Sequence, residues 1–190
     1  MMRFFLLLVF GITLFWCNLA TADAWRQDTK LLPQYCKDRA KGINSAEFAK
    51  WRTTLGEAFI HMHHYCSGIY AEQKARSTVD QQKRKRFLRT VKHEMQYVSR
   101  HCSKKCALYP ELHNRWGWAL VADGQPGEAI GHFNLAIQAN PKYALAYARL
   151  SDLYRDINQP DEARRVLDAG LKAKPGSRML KRRLRELESR

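Results

Sequence analysis

The chain has 190 residues, 27% charged and 45% hydrophobic, with 33 Lys and Arg against 18 Asp and Glu, a formal charge of +15. That length supports one helical domain with a core of its own or a short repeat array, and little more. The cationic excess points to anionic partners and away from basic ones.

Residues 1–24 begin with a positive charge at Arg3, continue in a nearly unbroken apolar run from Phe4 to Trp16 and finish in Ala22-Asp23-Ala24. This is the three-part layout of a secretory signal peptide, with cleavage expected after Ala24. The alternative is an uncleaved anchor, for which the run is short. Cys17 follows Phe15 and Trp16, where a lipoprotein signal places small residues. Losing Arg3 and Asp23 leaves the charge at +15. The cationic character therefore belongs to the mature protein, expected across the inner membrane in the periplasm or attached to the cell envelope.

Residues 25–44 show no period and are expected to be a loop segment carrying Cys36. From there Asn44 or Ser45 makes a fitting N-cap and Glu47 falls in the first turn. Phe48, Trp51, Leu55, Phe59, Met62, Cys66 and Ile69 then recur every three or four residues, which places them on one face of a helix over 45–74. A second helix, about Val79 to His101, turns Phe87, Leu88, Val91, Met95 and Val98 to one side. Together they make a long hairpin over 45–106 with its turn near Arg76. Residues 74–106 hold eleven Lys and Arg against Asp80 and Glu94.

The hairpin includes HMHHYC, His61 to Cys66. On a helix His61 and His64 are neighbours, His63 points elsewhere, and Met62 and Cys66 lie on the apolar stripe. His61 and His64 could bind one metal ion, but zinc or copper needs further ligands, from His93, His101, Cys102, Cys106 or His113. With the turn near Arg76, Cys66 lies about ten residues from the tip and Cys102 about twenty-six, roughly 24 Å apart along the axis. That separation favours a polar helix edge over a metal centre. No C-x-x-C-H is present to hold haem, and no cofactor is expected. The four cysteines left after cleavage suit two disulfides in an oxidising compartment. One arrangement joins Cys36 to Cys66 and Cys102 to Cys106. The other joins Cys36 to the late pair and leaves Cys66 reduced, because reaching Cys66 uses most of the tether. The C-x-x-x-C beside His101 is also compatible with copper binding or thiol exchange.

The C-terminal part repeats. Setting residues 110–143 on 144–177 superposes Trp116 on Leu150, Gly117 on Ser151, Leu120 on Tyr154, Gln125-Pro126 on Gln159-Pro160, Ala129 on Ala163, Phe133 on Leu167, Ala136 on Gly170 and Pro141 on Pro175, each pair 34 apart with no insertion. Small residues at Gly117 and Ser151, and at Ala129 and Ala163, let two helices approach. Phe133 and Leu167 fill the space between hairpins, and Pro141 and Pro175 stop each second helix. Each hairpin keeps a bare apolar face until a neighbour covers it.

This pattern resembles the tetratricopeptide repeat family in its period and in its small, bulky and proline positions, over about residues 110–177. His113 departs from it where the family usually has Trp, Tyr147 serving in the second unit, and Asn158 stands where the first unit has the turn glycine Gly124. Leu55-Gly56 followed by Phe59 is similar to the first helix of a unit. The resemblance implies an all-α, TPR-type helix-hairpin solenoid of about seven helices. Its parts are the degenerate N-terminal hairpin, units at 110–143 and 144–177, and a basic capping helix at 178–190 whose apolar stripe is Met179, Leu180, Leu184 and Leu187. In this family the first helix of each hairpin lines a groove for a peptide or a partner helix. Carried over, the groove positions are Asn114, Trp118 and Val121, then Asp152, Arg155 and Asp156.

The expected function is thus a non-enzymatic scaffold for protein–protein interaction. The alternative is a metal-binding or redox accessory module built on the His/Cys cluster, with the repeats as its docking platform. The chain has no glycine-rich phosphate loop, nucleophile elbow or H-E-x-x-H. Trp51, Trp116 and Trp118 could stack on a sugar, but no spaced carboxylate pair accompanies them. The partners implied are a protein or peptide in the groove and an anionic membrane surface or glycan on the basic faces, with no specific nucleic acid.

Overall fold

A computed structural model describes residues 24–189. The signal-peptide reading of residues 1–24 lies outside the described residues except at Ala24. Among the described residues the secondary structure is all helical: α1 (Ala24–Gln27), α2 (Gln34–Ala40), α3 (Ala46–Leu55), a 3-10 segment (Glu57–His61), α4 (Met62–Ser77), α5 (Gln81–His101), α6 (Tyr109–Ala122), α7 (Pro126–Ala139), α8 (Ala144–Asp156), α9 (Pro160–Ala173) and α10 (Arg178–Glu188).

The helices start and stop for local reasons. The side chains of Ser45, Asp80 and Ser177 cap α3, α5 and α10 by accepting from backbone N–H groups of the first turn. Pro110, Pro126 and Pro160 occupy first turns, where the missing N–H costs nothing. Pro141 and Pro175 come two residues after α7 and α9 end. Gly124 leaves α6 at φ 76°, and Asn158 leaves α8 at φ 60°, the described non-glycine residue with positive φ. In both turns the next amide reaches back five residues, Gln125 to Leu120 and Gln159 to Tyr154, each 2.8 Å. Asparagine tolerates the left-handed region better than most side chains. The departure at Asn158 therefore leaves the turn unchanged.

Hairpins α4–α5, α6–α7 and α8–α9 stack in order, and α10 closes the stack. Helices α4, α6, α8 and α10 lie side by side as one layer, with α5, α7 and α9 behind them. The close approaches need small residues. A Cβ on Gly117 would sit 2.7 Å from the Phe133 ring, and one on Gly170 would sit 2.8 Å from both Leu180 and Tyr147. In the α4–α5 hairpin that position is Gly68, facing Met95, and the expected equivalent, Gly56, is a helix break.

That break is the first correction to the sequence reading. Gly56, at φ 77° and ψ −170°, ends α3, so 45–74 is two helices joined by the 3-10 segment. A three-to-four spacing persists across such a break when both pieces pack on one core, and here Phe48, Phe59, Met62 and Ile69 all do. Residues 25–44, expected as a loop, contain α1 and α2, held down by buried Trp25, Leu32 and Cys36. These two changes raise the count from about seven helices to ten among the described residues. Cys36 bonds to Cys66 and Cys102 to Cys106, and the fold back at Gly56 is what brings α2 alongside α4.

Candidate functional site

The layer of first helices presents a polar, arginine-rich face. Its centre is Glu72 on α4, a carboxylate only 3% exposed. Arg115 of α6 reaches it at 2.5 Å, Arg76 of α4 at 2.7 Å and Arg149 of α8 at 3.7 Å. Burial alone would raise the Glu72 pKa, but the three guanidinium groups outweigh it and hold the carboxyl below its ordinary range. Arg115 also binds Glu111 (2.7 Å), which accepts from the Tyr35 hydroxyl of α2 at 3.4 Å. Arg149 also donates to the backbone carbonyl of Asn114 at 2.9 Å. One arginine from each of three successive hairpins therefore converges on a single acid, and the network ties the stack together across its open face.

The expected groove residues fare differently. Trp118 is half-buried on this face, and the Arg76 guanidinium lies 3.8 Å over its ring. Val121 packs partly into the core between the repeats. Asn114 is 1% exposed: its amide donates to the Tyr143 hydroxyl at 3.3 Å, and its Oδ1 has no protein partner. It is withdrawn from any partner because α6 turns that position toward α8. Asp152 is held by both ends of the Arg183 guanidinium of α10 (2.8 and 3.0 Å) and by Arg155 at 3.7 Å. Arg155 also pairs with exposed Asp156 at 3.2 Å. Sequence reasoning missed Glu72, Arg76, Glu111, Arg115 and Arg149. Arg115 and Arg149 stand 34 apart, a signal the repeat alignment contained.

The histidines form a separate cluster at the base of the α4–α5 hairpin. The His61 ring stacks on His101 with centroids 3.9 Å apart, and Tyr97 packs against both. His64 Nδ1 lies 2.7 Å from Glu94, whose other oxygen accepts from Ser67 at 3.0 Å. The turn of the hairpin, expected near Arg76, falls at Thr78–Asp80, and at the far end His61 and His101 come together. Burial first, then the neighbouring His101 and His64, lower the His61 pKa. Among the described residues no three His, Cys, Asp or Glu side chains are grouped to hold a metal ion. A second imidazole pair, His113 and His132, meets Nδ1 to Nδ1 at 2.8 Å beside Trp116. His113 is thus a buried helix-packing residue at the position of the missing aromatic.

Residues 120–184 match the tetratricopeptide repeat family. No curated protein matches the chain. Among solved structures it is similar to a thermophilic TPR protein from Thermus thermophilus, at 16% identity and a TM-score of 0.61, covering 80% of this chain and 87% of that one. The first TPR of Spaghetti (RPAP3), solved with the HSP90 peptide SRMEEVD, and the first TPR domain of human RPAP3 match at 18% identity. Their TM-scores are 0.46 and 0.47, covering 64% of this chain and 93% and 90% of theirs. Residues 120–184 therefore carry the tetratricopeptide repeat, and the fold is an all-α TPR-type solenoid.

Proposed function

We propose that the protein is an exported, non-enzymatic scaffold that receives a peptide or partner helix on the face formed by α4, α6, α8 and α10. The Trp118 ring under the Arg76 guanidinium carries this reading. A half-exposed aromatic on a face otherwise occupied by ion pairs gives a partner an apolar anchor point, with a cation beside it for a carboxylate. Two disulfides support export into an oxidising compartment, the periplasm or cell envelope. The basic faces would then orient the scaffold on an anionic surface, phospholipid or glycan.

The test is site-specific photocrosslinking in expressing cells. A photoreactive residue replaces Trp118, or as a control Arg165, whose side chain is 72% exposed on α9. A discrete adduct from position 118 that is absent from position 165 is expected. The same adducts from both positions, or none from 118, would remove the groove from the reading.

A further inference from the structure

The outer side of α5 is a cationic stripe. At about 100° per residue, Lys85, Arg86, Arg89, His93, Gln96 and Arg100 fall within one arc, and all six are exposed. Leu88, Val91, Met95 and Val98 occupy the opposite, buried side. The helix has one carboxylate, Glu94, and it is on the buried side, engaged by His64 and Ser67. Lys85, Arg89 and Arg100 have no carboxylate partner among the described residues. From Lys85 to Arg100 the stripe runs about 22 Å.

At its N-terminal end the stripe meets exposed apolar side chains. Val79, in the α4–α5 turn, is 93% exposed, and Leu31 is 76% exposed, the two highest values among the exposed large apolar residues of the described chain. Leu31 belongs to this end because its carbonyl accepts from Gln73 at 2.7 Å, and Asp28 pairs with Lys74 at 3.0 Å, both in the last turns of α4. Exposed Lys30 adjoins Leu31, and Lys83 follows Val79.

We propose that the α4–α5 tip and the outer side of α5 dock on an anionic phospholipid bilayer. This rests on the envelope reading above and names the surface and its partner. Cations alone would suit any polyanion. Val79 and Leu31 favour lipid, because only a bilayer offers apolar side chains a boundary to enter next to its charged head groups. The stripe contains no Phe, Tyr or Trp on which bases or sugar rings could stack.

The experiment is co-sedimentation of the full chain, in the processed form that expressing cells yield, with vesicles of phosphatidylcholine alone or mixed with phosphatidylglycerol, across a salt series. Binding is expected on mixed vesicles, falling with salt. The variant K85Q/R86Q/R89Q/R100Q should weaken it about five-fold per charge removed, several hundred-fold in all. V79S with L31S should weaken it about ten-fold with the salt dependence unchanged. All these side chains are exposed, so thermal unfolding should match the parent and serves as the folding control.

Equal binding to phosphatidylcholine alone, or equal binding by the glutamine variant, overturns the proposal. So does binding to heparin or duplex DNA accompanied by vesicle binding that is indifferent to V79S and L31S, which would make the stripe a general polyanion site. The crosslink from position 118 is read separately. Vesicle binding lost with that adduct retained sinks the bilayer surface alone, and the converse sinks the groove alone.

Discussion

Replacing Glu72 with alanine isolates what the arginine network contributes. The substitution strands three cations, but unequally. Arg115 keeps Glu111 at 2.7 Å, and Arg76, with 44% of its side chain exposed, can turn to water while stacked on Trp118. Arg149, 19% exposed, keeps only the carbonyl of Asn114. Breaking a buried ion pair costs about 3–5 kcal/mol when the remaining charge has nowhere to go. With one of three arginines fully stranded, the lower end applies, about 3 kcal/mol. Urea denaturation followed by far-ultraviolet circular dichroism measures it, and a matching fall in Tm of roughly 6–12 °C is expected at this chain length. Removing Arg149 as well (E72A/R149M) should restore at least 1 kcal/mol, because the stranded charge leaves with its partner. The Glu72 pKa is lower folded than unfolded, so its contribution is complete above the ordinary carboxyl range and disappears as pH falls through the folded value. E72A should accordingly lose less stability in acid than the parent. A loss below about 1 kcal/mol at pH 7, or no recovery in the double variant, would show that the network decorates the face without holding it.

Other perturbations test separate parts of the structure. Burial lowers both His113 and His132 to about 4, with His132 further disfavouring a proton on His113. The unfolded chain takes up those protons first, so stability is whole above pH 6.5 and declines toward pH 4; H132F should flatten that decline in a denaturant series. The Cys36–Cys66 bridge closes a loop of sequence separation 30, worth about 3–4 kcal/mol, against about 2 kcal/mol for Cys102–Cys106 at separation 4. C36S/C66S should therefore lower Tm more than C102S/C106S. G117A forces a Cβ toward the Phe133 ring and should cost about 1–3 kcal/mol, whereas G131A, with open space around it, should stabilise α7 by about 0.5–1 kcal/mol.

The legibility of the sequence divides near residue 108. Beyond it, paired positions 34 apart supply both helix ends and packing contacts, since each unit meets the same neighbours in the same way. Gly117 against Phe133 is a contact that the small and bulky positions imply. Before it, Gly56 carries the same local signal whether it sits inside a first helix or breaks one. Only the tertiary packing of Phe59 and Cys66 decides between them. The candidate face suffers from the same limit. Trp118 could be placed from its position in the unit, but Glu72 comes from α4, whose register against the repeats has no sequence marker. Asn114 occupies a groove position by pattern, yet its side chain is taken up by Tyr143.

The disulfide between Cys36 and Cys66 gives the solenoid a direction. Helix α2 is locked against α4, and Tyr35 touches Glu111 at the start of α6, so the chain's own first segment reaches across from the first hairpin to the second. A segment bound on the open face therefore has its free run from Trp118 toward Arg183.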